Sequence, residues 1–139
     1  MVQLIIGNKG KGKTKVLLDK ANSEIKDIAG NVVYLDKSTE HMFELNNRIR
    51  LIDVCEYGIS TSDQFVGFVT GIISQDHDLE QMYLDCFLNI AGIEVEDAVP
   101  VIKKLDEIGT KFNVSIIISV TMDPDNVPED LKDKVIASL

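Results

Sequence analysis

A three-layer α/β domain, with about five mainly parallel strands and helices on both faces of the sheet, is the fold class this sequence predicts. Two observations carry it. Short apolar runs alternate with longer stretches whose apolar residues recur at helical spacing, and such alternation implies right-handed crossovers and a parallel sheet covered on both faces. The 139 residues are 45% hydrophobic, enough for one domain, 1–139, to bury roughly two thirds of its unfolded surface in a single core.

The elements follow in chain order. Val2, Leu4, Ile5 and Ile6 form a first strand that runs into Gly7-Asn8-Lys9-Gly10-Lys11-Gly12-Lys13-Thr14, a glycine-rich loop opening a helix. Leu17, Ala21, Ile25 and Ile28 recur at helical spacing, and Gly30 stands where a left-handed C-cap belongs. The run Val32-Val33-Tyr34-Leu35 ends in Asp36 as a second strand. Ser38 caps a brief helix over 39–45, and residues 49–55 form a third strand ending at Glu56. Thr61-Ser62-Asp63-Gln64 has the capping-box form, and Phe65, Phe68, Val69, Ile72 and Ile73 continue it as a helix.

After a polar connection over 74–80, Met82-Tyr83-Leu84-Asp85 is a fourth strand ending in a carboxylate. Ala98, Val101, Ile102, Leu105 and Ile108 mark another helix, with Pro100 tolerated in its first turn and Gly109 at its stop. Residues 114–120 are the clearest strand, and Pro128 opens a last helix carrying Leu131, Val135 and Leu139.

Chemistry concentrates at the first loop. Gly7, Gly12, Lys13 and Thr14 fit G-x-x-x-x-G-K-[ST] between an apolar strand and a helix, the context this phosphate-binding pattern requires. Gly7 is expected to free the chain as it leaves the strand, while Gly10 and Gly12 let backbone N–H groups approach phosphate. The helix start adds unpaired N–H groups and a positive dipole end. Lys13 is assigned to the β/γ-phosphates and Thr14 to Mg²⁺. Asn8, Lys9, Lys11 and Lys15 complete the loop's surroundings, a basic island on a chain of net charge −9 and pI about 4.6.

That acidity opposes sequence-independent binding to nucleic acid or anionic membrane, both of which need clustered Lys and Arg. Cys55 and Cys86 show neither metal nor disulfide spacing. With no signal-peptide pattern and no apolar run near about eighteen residues, a soluble cytoplasmic protein is expected. Asp76-His77-Asp78 reads as a solvated turn and His41 as a lone structural or exposed side chain.

The loop resembles that of the P-loop NTPase superfamily, and the resemblance extends from Val2 to about Thr121. At closer range the chain resembles short single-domain ATP-binding proteins of Gram-positive anaerobes, sometimes labelled twitching-motility ATPases. Genuine motors of that kind carry a separate N-terminal domain and histidine- and acid-rich boxes that this sequence does not match.

The resemblance implies ATP and Mg²⁺, with Asp85 at the Walker-B position sharing the metal with Thr14. Where the additional-strand group of this superfamily has a glutamate after that aspartate, this chain has Cys86. A RecA-like sheet order would set the third strand beside the fourth and bring Glu56, as catalytic base, next to Asp85; Asp36 is a weaker candidate. Thr121 or Ser119, at the end of the strand beside the loop strand, takes the role of γ-phosphate sensor. Arg48 and Arg50 are the only arginines, so a cis arginine finger has few sources. No Asn-Lys-x-Asp guanine-reading motif occurs, which favours ATP over GTP.

Three readings result. One is a Mg²⁺-dependent ATP-binding protein whose ATPase activity is slow or is stimulated by an unidentified protein partner. Another is a regulatory module that binds nucleotide without hydrolysing it. The last is a small-molecule or nucleoside kinase.

Overall fold

A computed structural model describes residues 1–139. Six strands, β1 (Val2–Gly7), β2 (Asn31–Asp36), β3 (Ile49–Asp53), β4 (Leu79–Leu84), β5 (Ser115–Thr121) and β6 (Val135–Ser138), form one sheet in the order β3-β2-β4-β5-β1-β6. Every neighbouring pair is parallel. Four helices, α1 (Lys13–Glu24), α2 (Ser62–Ser74), α3 (Phe87–Ala91) and α4 (Ala98–Phe112), supply the crossovers together with 3₁₀ turns.

Alternation along each strand divides the core into two. Leu4, Ile6, Val33, Leu35, Met82, Leu84, Ile116 and Ile118 face a cluster that includes Phe65 and Val69 of α2, Phe87 of α3 and Ile102 and Leu105 of α4. Ile5, Val32, Tyr34, Tyr83 and Ile117 face Leu17, Leu18 and Ala21 of α1. The three-layer expectation holds, with helices on both faces.

Six strands stand where about five were expected, because the segment after Pro128 is not a helix. Glu129–Lys134 makes 3₁₀ turns and Val135–Ser138 pairs with β1. The spacing of Leu131, Val135 and Leu139 suits a helix, but the edge of β1 offers unpaired backbone groups that an extended segment satisfies. The exposure of β6 accordingly alternates with period two.

A second correction concerns sheet order. β2 lies between β3 and β4, so β3 is at the edge and its end is not beside Asp85.

Three glycines differ from expectation in their reason. Gly30 is not left-handed; a Cβ there would meet the Asp78 carbonyl oxygen at 2.2 Å, so close chain approach requires it. Gly109 lies inside α4, where a Cβ would come within 2.8 Å of the Val114 carbonyl oxygen, and the left-handed stop is Asn113 at φ 57°. Gly7 has no positive φ either; a Cβ there would lie 3.1 Å from both Cβ and the carbonyl oxygen of Leu139. The Thr61 hydroxyl does accept the Gln64 N–H at 3.2 Å at the start of α2, as the capping pattern requires.

Candidate functional site

The glycine-rich loop connects β1 to α1 at the carboxyl end of the sheet. Gly10 (φ 85°) and Gly12 (φ 92°) are left-handed, and nothing lies within 4 Å of where a Cβ would be, so the backbone conformation and not space demands glycine. Gly12 is the N-cap of α1 and no side chain caps the helix, which leaves its first-turn N–H groups free for an anion. Lys13 Nζ folds back to donate to the Asn8 carbonyl at 3.1 Å. Lys9 and Lys11 are exposed; Lys15 pairs along the helix with Asp19 at 3.3 Å.

Asp36 ends β2, Asp85 follows β4 and Ser119 lies two residues before the end of β5, on three adjacent strands and two positions after Tyr34, Tyr83 and Ile117. Period two therefore puts them on the α1 face. Asp85 is buried and collects four donors. Thr14 Oγ1 at 3.2 Å, Ser119 Oγ at 2.8 Å and the Cys86 N–H at 2.9 Å reach Oδ1, and Tyr34 Oη at 2.8 Å reaches Oδ2. The Cys86 N–H also reaches Ser119 Oγ at 3.1 Å, and Cys86 itself is left-handed (φ 52°) at the turn into α3.

Asp36 is different. It is 1% exposed; its Oδ1 accepts the Lys37 N–H at 2.7 Å, and its Oδ2 is the one buried side-chain polar atom without a partner. One oxygen of Asp36, one of Asp85 and Cys86 Sγ lie within 4.8 Å of one another.

Asp85 and Cys86 border a cleft of about 820 Å³, and Asp36 lies buried behind them. On one side are Lys9, Gly10, Gly12, Lys13, Thr14, Ser119 and Thr121; on another Lys37, Asp85 and Cys86; the far wall is built from residues of 88–97, including Asn89, Glu94 and Asp97. Thr121 is exposed at the rim, paired in register with Gly7, whereas Ser119 is buried on Asp85. Thr14 and Asp85, expected to share a metal, are in contact.

Glu56 is an exposed residue of the 3₁₀ turn after β3, outside the cleft, because β2 intervenes. The carboxylate beside Asp85 is Asp36. Arg48 is committed to the Ile25 and Ile28 carbonyls at 3.1 and 2.9 Å, and Arg50 is exposed on β3. Sequence reasoning missed Lys37, which adjoins Asp36, and Tyr34, whose hydroxyl was hidden in an apolar run. Only the strand order reveals that both face Asp85's neighbourhood.

Electrostatics follow burial. Desolvation pushes the Asp36 carboxyl up to about 6, opposed by its Lys37 N–H bond and reinforced by Asp85. Burial, with Asp85 and Asp36 nearby, raises the Cys86 thiol to about 11. Burial and Asp85 raise Tyr34 far above the phenol range, so it remains a donor. Lys13 is lowered by burial against the attraction of Cys86 and Asp85.

No protein-family model and no curated protein matches the chain. Solved structures share its fold. The flagellar accessory protein FlaH from Methanocaldococcus jannaschii aligns over 92% of this chain and 63% of its own, with TM-score 0.60 and 15% identity. A KaiC-like protein from Pyrococcus horikoshii aligns over 95% and 67% (TM-score 0.58, 12% identity), and C. elegans PCH-2 over 99% and 34% (0.55, 13%). The chain thus spans less than two thirds of the FlaH and PCH-2 chains. Its all-parallel six-stranded domain has the fold of RecA-like P-loop NTPases. No helix is long and apolar enough to cross a membrane.

Proposed function

We propose that this chain binds ATP with Mg²⁺ at the 7–14 loop and hydrolyses it slowly, or when a protein partner engages it. The observation that carries this reading is the loop's geometry: two left-handed glycines, an uncapped helix start and Lys13 folded over it, all beyond the carboxyl ends of parallel strands. Loop and first-turn N–H groups hold the α/β-phosphates, and Lys13 exchanges the Asn8 carbonyl for the β/γ-phosphates. Thr121, exposed at the rim, donates to the γ-phosphate. The preference for ATP over GTP rests on the missing guanine-reading motif.

Thr14 Oγ1 and Asp85 Oδ1 are adjacent hard oxygen donors and fit Mg²⁺, which keeps several of its own waters in phosphate sites. Bound there, the ion neutralises charge on the β- and γ-phosphates. Asp36, not Glu56, is the carboxylate that orients and accepts a proton from the attacking water, since its Oδ2 is buried, unpartnered and beside Asp85. It does so as a carboxylate, above about pH 6. Lys37 lines the same cleft and supplies cationic charge that neither arginine brings there.

A second reading, a nucleotide-responsive module that changes partners by population shift without hydrolysis, is favoured by Cys86 in place of a glutamate after Asp85. Binding isotherms for ATP, ADP and GTP with and without Mg²⁺, run on the wild type and Lys13→Ala and followed by phosphate release, test both. Equal ATP binding by Lys13→Ala would overturn nucleotide binding at this loop. Multiple-turnover phosphate release from the isolated chain would remove the non-hydrolysing reading.

A further inference from the structure

The arrangement around Cys86 has a chemistry that an all-oxygen Mg²⁺ site does not need. Asp36, Asp85 and Cys86 come from two adjacent strand ends and offer two carboxylate oxygens and a sulfur within 4.8 Å of one another. Asp36 is 1% exposed and its Oδ2 has no hydrogen-bond partner, so one residue of this cluster carries a buried acceptor with its bonding capacity unused. An unpaired buried carboxylate oxygen costs free energy comparable to a lost hydrogen bond or more unless a cation or donor fills it. Both oxygens of Asp85 accept hydrogen bonds, Oδ1 from Thr14, Ser119 and the Cys86 N–H and Oδ2 from Tyr34 alone, so Oδ2 keeps a lone pair for a cation.

We propose that Asp36, Asp85 and Cys86 Sγ form a mixed oxygen–sulfur site for a thiophilic divalent cation of the Zn²⁺ or Co²⁺ type. Thiolate donors select such ions, whereas Mg²⁺ takes oxygen alone. With Zn–S near 2.3 Å and Zn–O near 2.0 Å in a tetrahedron, the donors need separations of about 3.3 to 3.5 Å. The present spread, at most 4.8 Å, closes by side-chain rotation of little more than about 1 Å. Binding releases the Cys86 thiol proton to solvent and leaves the fourth position to water, since Cys86 and Asp85 border the open cleft. Asp85 is shared with the Thr14 oxygen pair, so a thiophilic ion here excludes Mg²⁺ from Asp85; only this consequence rests on the nucleotide reading.

The test uses the intact chain without nucleotide or Mg²⁺. Co²⁺ is titrated while the sulfur-to-cobalt charge-transfer band in the near ultraviolet and the visible ligand-field bands are recorded, and Zn²⁺ is then added in competition. A one-to-one band that Zn²⁺ bleaches, that persists in Cys55→Ser and that disappears in Cys86→Ser is expected. Asp36→Asn is expected to weaken Co²⁺ binding at least about tenfold while the band survives. A folded wild type without the band, a band retained in Cys86→Ser, or Asp36→Asn titrating like the wild type would each overturn the site. Because no nucleotide is present, failure here leaves the ATP isotherms to stand or fall alone.

Discussion

The two halves of the cleft are built by opposite means. The glycine-rich loop is contiguous in sequence and exposed, and it presents backbone N–H groups shaped by Gly10 and Gly12. The carboxylate cluster is buried, draws its side chains from β2, β5 and the end of β4, and is wired by hydrogen bonds from Tyr34, Thr14 and Ser119. The difference teaches where function and stability separate. Loop side chains can be removed without opening the core, whereas those of the cluster cannot.

Asp85→Ala gives the largest expected effect and the sharpest test of that contrast. It orphans the buried Tyr34 and Ser119 hydroxyls and leaves the Cys86 N–H only its bond to Ser119, and denaturant unfolding should report a loss on the order of 3 kcal/mol. A loss under about 1 kcal/mol would break the claim that the cluster holds the fold. Lys13→Ala removes a partly exposed side chain whose only bond is to the Asn8 carbonyl. Its melting temperature should stay near wild type while ATP affinity falls roughly 10- to 100-fold, the worth of one charge-assisted phosphate contact.

Asp36→Asn acts with a pH signature. The folded carboxyl is raised to about 6 from an unfolded 3.8, so the folded state favours the proton. Stability from this group is present below about pH 4 and lost as pH climbs through about 6. Measured without metal, Asp36→Asn should unfold like the wild type near pH 4. By pH 8 it should be more stable by on the order of 1 to 2 kcal/mol, even as phosphate release is lost. A pH-independent difference would show that the buried oxygen is not charged.

Glu56→Gln is the smallest change. At an exposed turn outside the cleft, it should leave stability within about 0.5 kcal/mol and turnover at the wild-type rate. A large loss of turnover would restore the sequence-based assignment and require a rearrangement of the β3 edge.

The same contrast governs what the sequence could reveal. Gly7, Gly12, Lys13 and Thr14 were legible because their spacing is local, and β1, β2, β4 and β5 because apolar runs report burial directly. Asp36 and Glu56 each close an apolar run, and nothing local to either distinguishes them. Only the position of β2 between β3 and β4 does so, and pairing order is a long-range property. The end of the chain departs from its helical spacing for a related reason. Leu131, Val135 and Leu139 fit a helix until the free edge of β1 is considered, and that edge is formed by residues at the other end of the sequence.

The pairing of β1 has one more consequence, in the order of events during synthesis. β1 is hydrogen-bonded on one side by β5 and on the other by β6, so it finds both partners only within residues 115–138, made after β2, β3 and β4. Closing such distant pairs is slow, and a nascent chain meanwhile carries an apolar strand with two open edges. The glycine-rich loop extends from that strand at Gly7, whose carbonyl accepts the Met122 N–H at 3.1 Å on one side, while on the other the Leu139 N–H bonds the Ile6 carbonyl at 2.9 Å. Strand and loop are therefore completed by residues made long after them.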